Sequence, residues 1–355
     1  MYLKNNILLN LNQINTNNFD FLRVIFALTV AISHFIELSG VKTIQHLSPL
    51  FSTRLAIDGF FIISGFLIAK SYNKSSSIKD YIIRRIKRIV PAYTILIICC
   101  AIFLYFISSK DFQSYFINKQ FWKYLIANLS FQNYIEPCLP GVFEKNNINA
   151  VNGALWTIKI EEAFYLILPV FYWLVNKKKW NIYFLTFIIY LSSIIFFNYF
   201  VHVDKYRIAK QLPGAMSFFV TGILLYNNFS IFIKLKHYLI VPCLIIFILE
   251  HFILNTQVLK PFSYGFMVFY LAYGFEFLNN FGKYGDFTYG IYIYHFPVIQ
   301  TFVHFELYTK YNPLIIGILT FFVIILLSIL SWKHIELPNL PESRRKRHEN
   351  LLGKI

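Results

Sequence analysis

The chain has 355 residues, of which 57% are apolar, 20% aromatic and only 14% charged. A soluble domain carries about 25% charged residues, so this composition excludes an ordinary soluble protein and points to a polytopic membrane protein. The net charge of +16 does not point to nucleic acid, because the basic residues sit in short loops between apolar runs.

Residues 1–18 are polar and Asn-rich and lack the basic start, short apolar core and small-residue cleavage site of a signal peptide. Apolar segments of spanning length follow near 20–38, 51–70, 89–107, 154–175, 181–201, 211–227, 238–254, 261–279, 287–306 and 313–332. The expected fold is an all-α transmembrane bundle of about ten spans. With the N-terminus inside, 20 basic residues collect on the cytoplasmic side and 11 on the other, so both termini are expected in the cytoplasm. Residues 19–338 then form the membrane domain, and 339–355 form a basic tail whose RRKR run, 344–347, touches anionic lipid. The loop 108–153 is expected outside, with 119–131 lying as an interfacial or re-entrant helix. Cys99, Cys100 and Cys243 fall in spans and Cys138 in a loop, which gives no disulfide framework.

Charged groups inside the spans mark candidate sites, because a bilayer core penalises them. In the first span Arg23 and His34 are eleven residues apart. At about 100° per residue they share one helix face, about 16 Å apart along the axis. In the second, Asp58 needs a polar partner, for which Arg54 or His34 is available, and Gly59 and Gly65 thin the helix for close neighbours. RRIKRIVPAY, 84–93, places Arg85 and Arg88 on one face, with Pro91 marking the helix entry or a kink. Arginine suits bidentate phosphate recognition.

LWTIKIEEAFYLILPV, 155–170, carries Lys159, Glu161 and Glu162 in one apolar run. A Lys159–Glu162 pair leaves Glu161 as the carboxylate for acid or base work, or for orienting a histidine. His295, in YGIYIYHFPV, reads as a packing histidine bonded to a neighbouring helix rather than as a catalytic one. Glu336, in HIELP, reads as the partner of a basic residue. No HxxxH, HExxH or CxxC spacing occurs, so no metal is expected, and no phosphate-binding loop or GxSxG is present.

In order along the chain, the Arg–x10–His of the first span, DGFFIISGFLI, RRIKRIVPAY, LWTIKIEEAFYLILP, YGIYIYHFPV and IELP resemble the integral-membrane acyltransferase-3 family, from about Phe19 to Pro338. The resemblance implies a ten-helix protein of a bacterial inner (plasma) membrane. It implies transfer of an acyl group, usually acetyl from acetyl-CoA, to a hydroxyl of an envelope glycan or lipid-linked saccharide. It makes His34 the catalytic histidine, with Arg23 its partner in the motif. It gives Arg85 and Arg88 to the donor side, and carries Asp58, Glu161, Trp156 and Tyr165 over as site residues. Thr157 stands where the family usually has serine after the tryptophan, which keeps the hydroxyl.

His34 is then expected as general base, with Glu161 or Asp58 holding the imidazolium. The competing class is a transporter or flippase in which buried His, Asp and Glu relay protons.

Overall fold

The computed structural model describes residues 14–279, 281–342 and 345. Most of the polar N-terminal segment and, apart from Arg345, the RRKR run lie outside the described residues. The described chain is helical, with no strand among the described residues. The main helices are α1 (Phe19–Leu38), α2 (Thr53–Lys74), α3 (Ile78–Phe103), α4 (Lys119–Leu129), α5 (Trp156–Asn176) and α6 (Ile182–His202). They continue with α7 (Leu212–Asn227), α8 (Phe229–Ile248), α9 (Lys260–Tyr273), α10 (Thr288–His304) and α11 (Pro313–Ser331).

Among the described residues, seven helical stretches are long and apolar enough to cross a membrane: those built on α1, α2, α3, α6, α7, α8 and α11. The other three segments expected as spans are helical but differ in kind. Helix α5 carries Lys159, Glu161 and Glu162 within its first two turns, and α9 and α10 are 14 and 17 residues long. A helix needs about 20 apolar residues to cross a full hydrocarbon core.

Helix α3 begins eleven residues before the expected span at 89, so Pro91 lies inside the helix instead of at its entry. The basic run does not look apolar, but Lys and Arg are good helix formers. The Ser77 hydroxyl caps the start by accepting from Asp80 N at 3.1 Å. The interfacial stretch is helical as expected, over 119–129, with the Asn118 side chain accepting from Gln120 N. Phe121 and Tyr124 are buried there, whereas Trp122 and Ile126 are exposed. All four cysteines are free.

The chain divides into two compact units, residues 1–23, 57–81 and 160–282 in the first, and 24–56, 82–159 and 283–355 in the second. In the first, Gly65 of α2 and Gly222 of α7 meet backbone to backbone. A Cβ on Gly65 would strike the Phe219 carbonyl and one on Gly222 the Ile62 carbonyl, which is why small residues occur there. Phe164 stacks on Phe219 at 4.1 Å, and Phe19, Phe66 and Phe269 form an aromatic knot beside them. Asn18 is buried and donates through Nδ2 to the Phe275 carbonyl at 2.7 Å.

In the second unit, α10 and α11 pack closely, with Gly290 against Ser328. The segment after α4 is sewn to α10 by amide side chains. Asn146 Nδ2 donates to the Gln300 carbonyl at 3.0 Å, and Gln300 Nε2 donates to Ala150 O at 2.9 Å. Asn152 Nδ2 donates to Ile293 O at 2.8 Å. That last carbonyl lies four residues before Pro297, which has no N–H to give it. Asn152 therefore satisfies the acceptor that the proline frees.

Candidate active site

Helix α1 brings a half-buried His34 to α10 in the second unit. His34 Nδ1 and His295 Nε2 are hydrogen-bonded at 2.8 Å, and the two rings lie within 5° of parallel with centroids 5.1 Å apart. An imidazole nitrogen lies about 1.15 Å from its ring centroid, as five bonds of about 1.33 Å require. That radius at each end, added to the nitrogen–nitrogen gap, accounts for the whole centroid separation. Both nitrogens thus lie on the line joining the rings, which are coplanar and meet end to end. This is the straight, in-plane geometry of a strong hydrogen bond.

His295 is fully buried, and its Nδ1 lies 3.1 Å from the carbonyl oxygen of Ile291, one helical turn back. The Phe296 and His34 rings meet in a T, with centroids 5.3 Å apart at 77°. Gly153 makes room for that phenylalanine, since a Cβ there would come within 2.8 Å of the Phe296 ring. Beside the pair, Tyr292 Oη lies 2.5 Å from Thr157 Oγ1 and donates to Ala154 O at 3.2 Å. Trp156, at the start of α5, is half-buried. Lys159 places its ammonium 4.3 Å from the Tyr134 ring centroid.

Arg85 and Arg88 are both buried on one face of α3. Arg88 Nη2 donates to Asp286 Oδ2 at 2.6 Å and Nη1 to Glu336 Oε2 at 3.5 Å. Glu336, expected to partner a basic residue, is turned inward by a π turn over Trp332–Glu336 and also accepts from Ser331 Oγ at 3.2 Å. Asp286 follows Gly285, whose φ of +144° is open only to glycine.

The remaining expected residues belong to the first unit. Asp58 is buried at 2% exposure, which places it facing the bundle rather than the interface. Tyr165 Oη donates to Glu161 Oε1 at 2.5 Å, and the Tyr165 carbonyl accepts from Tyr81 Oη at 3.1 Å. Arg23 Nη1 lies 3.9 Å from Asp20 Oδ1. His34 thus falls in one unit, and Glu161 and Asp58 in the other.

His295, expected to bond a neighbouring helix, does so, and the residue it reaches is His34; Asp286 was not among the expected site residues. The signal for His295 was present in YIYHFPV, an imidazole in an apolar helix two residues before a proline.

Fold and site together define an all-helical membrane protein with a hydrogen-bonded histidine pair. A family model described as an acyltransferase domain matches residues 16–333, so the chain belongs to the acyltransferase-3 family and is an acyltransferase. An O-acetyl transferase of Shigella phage Sf6 is 26% identical over 93% of this chain and 98% of its own length. The peptidoglycan O-acetyltransferase OatA of Listeria monocytogenes is 28% identical over 35% of this chain and 21% of its own length. Nodulation protein 10 of Rhizobium leguminosarum bv. viciae is 24% identical, with 58% of this chain and 57% of that protein covered. The chain thus spans nearly all of the phage relative and little more than half, or less, of the other two. No solved structure matches the chain.

Proposed function

We propose that this protein transfers an acetyl group from acetyl-CoA to a hydroxyl of a cell-surface polysaccharide or related glycan, with His34 as general base. The observation that carries the reading is a half-buried imidazole, hydrogen-bonded at 2.8 Å within an apolar bundle, in a chain of this family. The phage relative, an O-acetyl transferase matched over 98% of its length, supports the acetyl group, and the peptidoglycan O-acetyltransferase supports a glycan acceptor.

In this mechanism an acceptor hydroxyl gives its proton to His34 as its oxygen attacks the thioester carbonyl. The carbon–sulfur bond breaks, and the coenzyme A thiolate leaves and takes up a proton. Glu161, oriented by Tyr165, stabilises the imidazolium, with Asp58 as the alternative carboxylate. Arg85, Arg88 and Arg23 bind the donor's phosphates or thioester. Trp156 lines the donor or acceptor path. The bundle sits in the inner membrane with ten spans and both termini cytoplasmic, α5, α9 and α10 serving as the three less apolar ones.

The test compares surface-glycan masses from cells carrying the parent gene, no gene, or His34→Gln. The expected result is a difference of one acetyl group that appears only with the parent. Losing a general base costs about 10²–10⁴ in rate. If purified His34→Gln transfers acetyl within threefold of the parent, His34 is not the base. Transport of a substrate with no acetyl transfer would replace the reading with a carrier.

A further inference from the structure

The bond between His34 and His295 has a direction, and the neighbouring carbonyl determines it. His295 Nδ1 lies 3.1 Å from Ile291 O. A carbonyl oxygen only accepts, so the proton of that bond is on His295 Nδ1. His295 is at 0% exposure and is bonded to that carbonyl and to the other imidazole, so the neutral ring is the one that costs least to bury. A neutral imidazole protonated on Nδ1 carries a lone pair on Nε2. His295 Nε2 is therefore the acceptor of the 2.8 Å bond, and His34 Nδ1 is the donor. That leaves His34 with a bare Nε2 at the far end of its ring.

We infer that His295 is a positioning residue that holds His34 in the tautomer whose Nε2 accepts the acceptor's proton. The inference rests on the reading of His34 as general base and adds which nitrogen acts and what keeps it bare. The Ile291 carbonyl and His295 together do for His34 what a carboxylate does for the histidine of a hydrolase triad, without placing a charge in the bundle. The coplanar, end-to-end rings also fix the imidazole's rotation, and the Phe296 ring packs against it in a T. When His34 takes a proton on Nε2, its Nδ1–H stays bonded to His295, so the base protonates without rearranging its support.

The test uses the full chain in lipid nanodiscs, labelled with 15N-histidine, with the His34 signals assigned by their loss in His34→Gln. The expected parent spectrum has His34 protonated at Nδ1 and bare at Nε2. In His295→Phe, which keeps a ring of similar bulk but no acceptor, His34 is expected to populate both tautomers. Release of coenzyme A thiol from acetyl-CoA, with water as acceptor, is expected to fall about 10²-fold or more in kcat with KM for acetyl-CoA unchanged. His295→Gln places an amide oxygen near the position of Nε2 and is expected to recover at least tenfold over His295→Phe. His295→Asn, too short to reach, is not.

A parent His34 protonated at Nε2, or a His295→Phe variant with the parent's tautomer and kcat, overturns the inference while leaving the base role intact. Full activity in His34→Gln instead overturns the base reading itself. If His295→Phe does not fold, the Gln and Asn variants decide: equal rates in the two overturn the role of the acceptor.

Discussion

Arg88 of α3 and Asp286, just before α10, meet at 2.6 Å although 198 positions separate them in the chain. Their side chains are only 10% and 19% exposed. Breaking a buried pair by removing one partner typically costs 3–5 kcal/mol, because the other charge stays behind. Glu336, 3.5 Å from Nη1 of the same guanidinium, takes up part of that loss. Asp286→Asn is therefore expected to lower stability by about 3 kcal/mol, at the bottom of that range, measured by denaturant unfolding in detergent. Asp286→Asn with Glu336→Gln should cost more than the two single changes added together, because only then is Arg88 stripped of both carboxylates.

The same arginine tests the donor site. Arg88→Lys keeps the charge but loses the planar fork. It is expected to weaken acetyl-CoA binding with expression unchanged, as read by calorimetry on purified protein. A double Arg85→Ala, Arg88→Ala variant that folds and binds acetyl-CoA as the parent does would remove these residues from the donor site.

Asn152 and Pro297 give a paired prediction. Asn152→Leu keeps the bulk but leaves the Ile293 carbonyl, now bonded at 2.8 Å, without its donor. A buried acceptor left unpaired costs about 1–3 kcal/mol. Pro297→Ala supplies a helix N–H to the same carbonyl. The double variant should therefore recover much of the stability lost in Asn152→Leu, measured by thermal unfolding, and a purely additive result would show that the carbonyl is not the link.

Gly153→Ala pushes a methyl into the Phe296 ring, which a Cβ would approach within 2.8 Å. Overpacking of this kind costs about 1–3 kcal/mol, and here the displaced ring is the one set against His34. Activity is expected to fall more than stability, and Phe296→Leu in the Gly153→Ala background should restore part of it. Initial rates and melting temperatures of the parent and the two variants check this.

Topology is tested by single cysteines at Lys119 and Lys178 in a background without native cysteines. An impermeant reagent added to intact cells is expected to label position 119 and not 178. The reverse pattern would invert the orientation drawn from the 20-to-11 basic bias.

The helices were legible where apolar runs are long and uncharged, as in α6 and α11. The start of α3 was not, because its first three turns carry five basic residues and its signal is helix propensity and a Ser77 cap rather than apolarity. At the site, His34 announces itself as an imidazole in an apolar run. His295 announces itself in the same way, but the pairing of the two does not, since the bond joins residues 261 positions apart and no local pattern encodes it. The basic partner of Glu336 could be anticipated from a carboxylate at the end of an apolar span. Asp286 could not, because a glycine and an aspartate in a loop read as an ordinary turn until the fold places Arg88 beside them.

The amide bonds that fasten the segment between α4 and α5 also impose a timetable. Asn146 and Asn152 reach partners that lie 154 and 141 positions later in the chain. During synthesis this stretch leaves the ribosome long before α10 exists. Until α10 emerges, Asn146 and Asn152 have none of the carbonyls they bond in the finished protein. The surroundings of His34 are therefore completed only near the end of translation, when α10 delivers His295, Phe296 and the carbonyl that Pro297 leaves open. A nascent chain arrested after α9 should show residues 131–155 open to protease, and one arrested after α11 should show them closed.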